Sequence, residues 1–166
     1  MILSIVIPAY NEERFIGTLL DRIKAVDLTA FDLRREIIVV DDCSKDRTAS
    51  IVEQHPDVVL IRQPKNGGKG QAVRAGIARA TGDLLIIQDA DLEYDPRDYV
   101  PMLRALIERQ GDVVYGSRYM HAGKHASQTW AAYLGGRSLS LVAWAFTGRF
   151  LTDTVTAYKL FWRPDL

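Results

Sequence analysis

Residues 84–91 read Leu-Leu-Ile-Ile-Gln-Asp-Ala-Asp, four apolar residues followed closely by two carboxylates. Residues 36–42 repeat this arrangement with Glu-Ile-Ile-Val-Val-Asp-Asp. A short apolar run rich in β-branched residues is typical of a strand buried on both faces of a parallel sheet. Ligands of such sheets bind at the carboxyl ends of the strands, where both acidic runs stand. The placement therefore predicts an acidic binding site at one edge of a parallel sheet.

Apolar runs and amphipathic stretches alternate along the rest of the chain. The predicted strands cover residues 3–7, 36–40, 58–61, 84–87, 113–115 and 158–162. The predicted helices cover residues 12–26, 47–54, 70–80, 99–109 and 134–146. Strands separated by helices predict an α/β fold, Rossmann-like, with a mostly parallel sheet flanked by helices.

Composition excludes several classes of protein. The 166 residues are enough for one domain with its own core, and 21 Lys and Arg are balanced by 21 Asp and Glu. This balance gives no support to a nucleic-acid binder. The single cysteine, Cys43, excludes an internal disulfide and a cysteine-rich zinc site. With no signal sequence and no apolar stretch of about 20 residues, we expect a cytoplasmic protein.

The acidic run at 88–93 contains a candidate metal site. In an extended segment, residues two apart point the same way, so Asp89, Asp91 and Glu93 would present three carboxylates on one side. Such like charges repel, and a Mg²⁺ or Mn²⁺ ion bound by the oxygens removes the repulsion. The alternative is that Asp89 caps a turn while the other two carboxylates are solvated.

Asp41 and Asp42 follow the strand predicted at 36–40. Adjacent residues of a strand point in opposite directions, so we expect only one of the two to face the cleft. A carboxylate there can accept hydrogen bonds from a nucleobase or a ribose. Capping of the following helix is the alternative.

A glycine-rich loop, Pro-Lys-Asn-Gly-Gly-Lys-Gly at residues 64–70, opens a predicted helix. Backbone N–H groups at a helix start favour a bound anion. The loop is not a Walker A motif, because Gly70 stands where Ser or Thr should follow Lys69, and it lacks the Rossmann spacing. A flexible turn explains it equally well.

Arg118 follows the strand predicted at 113–115, and its guanidinium suits bidentate binding of a phosphate. Other basic residues follow in the same polar region: His121, Lys124, His125 and Arg137. A solvated loop is the alternative for the histidines and Lys124.

Taken in order, residues 4–13, 39–44, 66–70, 88–96, 114–118 and 151–153 resemble the family 2 glycosyltransferases with a GT-A fold. Within that family the chain looks like the polyprenyl-phosphate glycosyltransferases of the dolichyl-phosphate mannose synthase type. The resemblance implies a single GT-A domain over residues 1–166, shorter at its carboxyl end than the usual members.

The resemblance also implies roles for individual residues. Those expected to bind the nucleotide sugar are Pro8, Tyr10, Glu12, Val40, Asp41, Asp42, Lys69, Asp89 and Ala90. The expected metal ligands are Asp89, Asp91 and Glu93, and the expected catalytic residues are Asp91, Arg118 and Asp153. Arg118 would meet the acceptor phosphate or the donor diphosphate, and Arg137 and Asp153 would lie on the acceptor side.

The implied activity is an inverting, divalent-metal-dependent transfer of a hexose to a polyprenyl phosphate. The donor would be GDP-mannose or UDP-glucose, and the metal Mg²⁺ or Mn²⁺. We also expect peripheral contact with the cytoplasmic face of a membrane through residues 134–151, although their apolar side chains equally suit a core. Three alternatives stay open: a saccharide-hydroxyl acceptor with Asp153 as the base, a donor-binding fragment without turnover, and a nucleotidyltransferase.

Overall fold

The computed structural model describes residues 1–108, 111–117, 138–141, 144–146, 148, 153, 156 and 158–163. These residues form the strands β1 (Ile2–Ala9), β2 (Arg34–Asp41), β3 (Val58–Arg62), β4 (Leu84–Ile87), β5 (Val113–Tyr115) and β6 (Lys159–Trp162). The helices are α1 (Ile16–Ala25), α2 (Thr48–Val52), α3 (Lys69–Arg79) and α4 (Tyr99–Glu108), with single 3-10 turns at Thr29–Phe31 and Pro96–Asp98.

The strands form one sheet in the order β3-β2-β1-β4-β6-β5. Strands β1 to β4 run parallel, and β6 pairs antiparallel with both β4 and β5. The prediction of a mostly parallel α/β sheet is therefore confirmed. The order of the parallel strands reverses between β1 and β4, and an α/β sheet has its binding crevice at such a point.

Alternating residues of β1 supply two apolar layers, one on each face of the sheet. Leu3, Ile5 and Ile7 belong to the larger layer, which includes buried residues of α1 and α4. Val6 belongs to the smaller layer with residues of α3. A Cβ atom at Gly76 would lie 2.3 Å from Val6 Cγ1, so glycine at this position lets α3 lie close to the sheet.

Helix α1 begins at Ile16, four residues later than the hydrophobic pattern predicts. The preceding backbone is held instead by side chains of residues 44–48, which lead into and begin α2. The N–H groups donate as follows: Asn11 to Ser44 Oγ at 3.0 Å, Glu12 to Thr48 Oγ1 at 2.8 Å and Glu13 to Asp46 Oδ2 at 3.1 Å. These bonds between distant parts of the chain fix the segment that leaves β1.

The helix predicted at 134–146 is present in the described part of that range, residues 138–141 and 144–146. It exposes large apolar side chains: Leu139, Leu141, Trp144 and Phe146, of which Phe146 is 88% exposed. Within the described residues, no helix has the length and apolar character needed to span a bilayer.

Candidate active site

A cavity of about 220 Å³ lies at the carboxyl ends of β1 and β4, where the strand order reverses. It is lined by Pro8, Ala9, Tyr10, Glu12, Asp42, Lys69, Ala72, Asp89, Ala90 and Asp91. The acidic runs after β2 and β4 thus contribute to one site, as their positions in the sequence predict. Ala9 and Ala72 are the lining residues that the sequence did not single out.

Tyr10 gives the cavity a partly exposed aromatic wall. It follows the last residue of β1, and its side chain is 42% exposed. The next residue, Asn11, has φ of 56° and turns the chain away from the direction of the strand. Three residues that the resemblance assigns to nucleotide binding all line the cavity: Pro8, Tyr10 and Glu12.

Asp42, which follows β2, accepts hydrogen bonds from the glycine-rich loop. Its Oδ1 accepts the Gly67 N–H at 2.9 Å, and its Oδ2 accepts the Gly68 N–H at 2.8 Å. The carboxylate is only 3% exposed. Charged acceptors make the stronger hydrogen bonds in proteins, so this pair fixes where α3 begins and brings Lys69 to the cavity.

Val40 and Asp41, although predicted with the nucleotide-binding residues, do not line the cavity. The Val40 side chain is fully buried in the layer beneath α3. Asp41 is 4% exposed, and its Oδ1 accepts the Ser44 N–H at 3.3 Å. Of the two adjacent carboxylates, only Asp42 faces the cavity, as the alternation of a strand predicts.

Lys69 and Asp89 form an ion pair across the cavity wall. The Lys69 Nζ lies 2.5 Å from Asp89 Oδ1, and the two side chains are 56% and 18% exposed. The cation is therefore mostly in solvent, and the carboxylate is mostly covered.

The acidic run turns after Asp89, so the expectation of an extended segment with three carboxylates on one side is wrong. Residues 90 and 91 form a turn, Leu92 has φ of 62°, and Asp91 Oδ1 accepts the Glu93 N–H at 3.0 Å. Glu93 is exposed and does not line the cavity. In the described parts of the chain, no three His, Cys, Asp or Glu side chains are grouped to hold a metal.

The remaining carboxylates still fit a divalent ion that is shared with a substrate. Burial raises the pKa of Glu12 above its ordinary value, and the negative charges of Asp91, Asp46 and Asp89 raise it further. The site therefore holds excess negative charge. Mg²⁺-type ions commonly use one or two carboxylates together with substrate phosphates and water, a donor set that Asp89 and Asp91 can begin.

A buried hydrogen-bond network centred on Gln88 holds the backbone at the start of the acidic turn. Gln88 Oε1 accepts the hydroxyls of Tyr99 at 2.8 Å and Tyr158 at 2.7 Å, and Gln88 Nε2 donates to the Asp89 carbonyl at 2.9 Å. Burial raises the pKa of both tyrosines, so they are neutral donors. Sequence reasoning missed this network, because Tyr158 lies 70 positions from Gln88 and no local pattern joins them.

The other predicted residues are less well placed or lie elsewhere. Asp153 is 2% exposed and does not line the cavity. Arg118 and Arg137 lie outside the described residues, as do His121, Lys124 and His125.

Residues 4–162 match the profile of the family described as Glycosyl transferase family 2. The chain belongs to this family. Its sheet is the GT-A fold expected from the sequence, and the solved structures that resemble it are GT-A glycosyltransferases.

Two curated relatives of the chain have names that specify a lipid-phosphate acceptor. The dolichol-phosphate mannosyltransferase of Pyrococcus furiosus is 38% identical over 136 residues, which cover 80% of this chain and 37% of that protein. The undecaprenyl-phosphate 4-deoxy-4-formamido-L-arabinose transferase of Proteus mirabilis is 34% identical over 156 residues, 90% of this chain and 45% of that protein. The chain thus spans less than half the length of either relative.

Two solved structures share the architecture. A mannosyltransferase from Pyrobaculum calidifontis, in complex with GDP-Man and Mn²⁺, is 31% identical, with a TM-score of 0.59 over 69% of this chain and 35% of that chain. The mannosyl-3-phosphoglycerate synthase of Rubrobacter xylanophilus has a TM-score of 0.77 over 98% of this chain and 53% of that chain. The latter is 22% identical and supports the fold alone.

Proposed function

We propose that this chain binds a nucleotide-diphosphate sugar together with a divalent ion and transfers a hexose to a polyprenyl phosphate with inversion. One observation carries the proposal: Lys69, Asp89 and Asp91 line one cavity at the switch point of a family 2 sheet. The names of the two relatives, one acting on dolichol phosphate and one on undecaprenyl phosphate, support the acceptor class.

The lining of the cavity suits the two ends of a nucleotide donor. Tyr10 offers a partly exposed ring on which a nucleobase can stack, beside Pro8. Three other lining residues are charged, and their charges suit a diphosphate and its cation: Lys69, Asp89 and Asp91. We assign the base to the first group and the diphosphate to the second.

The metal would be held by Asp89 and Asp91, and when bound it neutralises charge on the departing diphosphate. Glu93 is left out of this proposed ligand set because its side chain is exposed on the turn. The structure of the Pyrobaculum calidifontis mannosyltransferase with GDP-Man and Mn²⁺ supports a donor and a metal of this kind. For this chain we propose GDP-mannose or UDP-glucose as the donor, with Mg²⁺ or Mn²⁺.

The proposed reaction is a single displacement at the anomeric carbon. A phosphate oxygen of the acceptor forms the new bond to this carbon, while the bond to the β-phosphate oxygen breaks and its electron pair leaves with the nucleoside diphosphate. The acceptor oxygen is already anionic at pH 7, so the step needs no strong general base. The protein contributes position and electrostatic stabilisation, and we propose Arg118 as a cation for the acceptor phosphate or the donor diphosphate.

A lipid acceptor also gives a role to the exposed apolar side chains of the described helical residues 138–141 and 144–146. Trp144 and Phe146 are 47% and 88% exposed, and Leu139 and Leu141 lie on the same segment. Aromatic residues flanked by leucines are typical of helices that lie in a membrane interface. We therefore propose peripheral membrane contact through this segment.

The proposed function is tested with labelled GDP-mannose and UDP-glucose, Mn²⁺ and a short polyprenyl phosphate. We expect one donor to give a labelled glycolipid and the free nucleoside diphosphate. Release of pyrophosphate would instead indicate a nucleotidyltransferase, and donor binding without product would limit this chain to donor binding.

The Asp153→Asn variant separates a phosphate acceptor from a hydroxyl acceptor. A hydroxyl must lose a proton, and Asp153 is the base suggested for that case by the sequence. We expect a mild loss of activity with unchanged donor binding. Near-complete loss with intact donor binding would favour a saccharide hydroxyl as the acceptor.

A further inference from the structure

The start of α3 is held at both sides of β1. The Gly67 and Gly68 N–H groups bind Asp42, which follows β2, and the Lys69 ammonium binds Asp89, which follows β4. Because β1 lies between β2 and β4 in the sheet, these contacts connect the start of α3 to both neighbours of the strand whose last residues, Pro8 and Ala9, line the cavity. The two contacts differ in kind. The contact with Asp42 uses backbone N–H groups, and the contact with Asp89 uses the end of the long Lys69 side chain.

This difference makes the contact with Asp42 fixed and the contact between Lys69 and Asp89 exchangeable. The backbone bonds to the 3% exposed Asp42 lock the loop and hence the Cα of Lys69. The Lys69 side chain is 56% exposed, so its ammonium can move in solvent while its backbone stays in place. Because the ammonium end of the pair is in solvent, the pair is weaker than a fully buried one, and another cation can replace the ammonium.

The Lys69 ammonium also contacts a carboxylate oxygen that could bind a metal ion. It lies 2.5 Å from Asp89 Oδ1, and Asp89 and Asp91 are the carboxylates placed to begin a metal site. Two cations on one carboxylate repel each other, so a divalent ion bound to Asp89 favours movement of Lys69 away from it. A diphosphate arriving with that ion supplies new anionic oxygens within the same small cavity.

We propose that Lys69 is an exchanging countercharge, which neutralises Asp89 in the donor-free protein and moves to the donor diphosphate when a divalent ion takes Asp89. The inference rests on the proposed donor site and adds an order of events within it. Without donor, Lys69 weakens binding of the bare metal ion. With donor, the same side chain strengthens binding of the nucleotide, so the metal is retained chiefly as part of the donor complex.

The test compares Lys69→Met with Lys65→Met. Lys65 is an exposed lysine on the same loop, so its loss changes the net charge equally without removing the pair to Asp89. Binding of Mn²⁺ alone is followed by the electron paramagnetic resonance signal of the free ion. Binding of GDP and of UDP at saturating Mn²⁺ is followed by calorimetry, and thermal melting checks folding.

We expect Lys69→Met to bind bare Mn²⁺ about fivefold more tightly than the original chain and the nucleoside diphosphate about tenfold more weakly. Lys65→Met should leave both affinities within about twofold, and Lys69→Arg should retain most of the nucleotide affinity. A variant that loses both affinities together has lost its site and contradicts the exchange.

Unchanged or weaker Mn²⁺ binding by a folded Lys69→Met protein would overturn the inference, as would unchanged nucleotide affinity. Both results leave the proposed function intact, provided that the original chain binds metal and nucleotide. If the original chain binds neither GDP nor UDP with Mn²⁺, the proposed function fails as well, so the two failures are distinguishable.

Discussion

The Tyr158 hydroxyl donates a 2.7 Å hydrogen bond to the side-chain carbonyl of Gln88. The bond joins the residue before β6 to the residue that follows β4, one position ahead of the acidic turn. Because Gln88 is fully buried and its amide donates to the Asp89 carbonyl, the backbone of the proposed metal-binding turn is held by the core. Distant parts of the sequence therefore position the site.

Replacing Gln88 with Leu should destabilise the fold and weaken donor binding together. The change removes the acceptor that the two tyrosine hydroxyls share. Tyr158 keeps the Asp95 carbonyl as an acceptor at 3.0 Å, whereas loss of the acceptor of the buried Tyr99 hydroxyl costs about 1–3 kcal/mol. Urea unfolding measures the loss, and calorimetry with nucleotide and Mn²⁺ measures binding. Gln54→Leu, at an exposed position, is the control. Equal stability of the two variants would contradict the role given to the network.

Replacing Asp91 with Ala should abolish the effect of Mn²⁺ on donor affinity, because one of the two proposed metal ligands is lost. Calorimetric titrations of GDP and UDP with and without Mn²⁺ measure this effect. Glu93→Ala is the matched control, because Glu93 is exposed outside the cavity. Mn²⁺ raising the affinity of Asp91→Ala as much as that of the original chain would defeat the metal assignment.

Glu36 should stabilise the fold in a pH-dependent way at a point away from the cavity. Burial tends to raise its pKa, but hydrogen bonds from Ser4 and Thr81 outweigh burial and lower it below 4.5. A lowered carboxyl pKa adds stability that is complete above the unfolded value of 4.5 and is lost as pH falls through the folded value.

Glu36→Gln should accordingly be less stable than the original chain at pH 7, by about 1–2 kcal/mol, and the difference should shrink below pH 4.5. Urea unfolding over a pH series measures the difference. A gap that stays constant or widens toward low pH would contradict the assigned direction of the shift. Donor affinity should be unchanged.

Replacing Phe146 with Ser should reduce membrane association at least about tenfold, because burial of one aromatic side chain contributes about 1.5–3 kcal/mol. Flotation with phosphatidylglycerol vesicles, with and without polyprenyl phosphate, measures association. Phe15→Ser removes another exposed aromatic residue, outside the 138–146 segment, and serves as the control. If the original chain does not float with either vesicle, membrane contact through this segment is wrong.

The strands and the edge that carries the site were predictable because they depend on local patterns. The apolar runs at 36–40 and 84–87 lie within β2 and β4, and the carboxylates that end them meet at the cavity. Continuous apolar runs of this kind identify strands in a sheet covered on both faces.

The parts that sequence reasoning missed depend on contacts between distant residues. Binding of Asp42 to the glycine-rich loop spans 25 positions, and nothing near Asp42 distinguishes that role from base binding. The positive φ of Leu92 ends the alternation that would have placed Glu93 beside Asp91. The resemblance implies Val40 in the nucleotide pocket, but its side chain packs beneath α3 in the core.

The most direct test of the donor site is a crystal structure of the chain soaked with GDP-mannose or UDP-glucose and Mn²⁺. We predict one nucleotide in the cavity with its base beside Tyr10, an ion on Asp89 and Asp91, and the Lys69 ammonium moved from Asp89 to the diphosphate. A nucleotide bound elsewhere, or a cavity in which Lys69 stays on Asp89 with no ion and no diphosphate, would contradict the account.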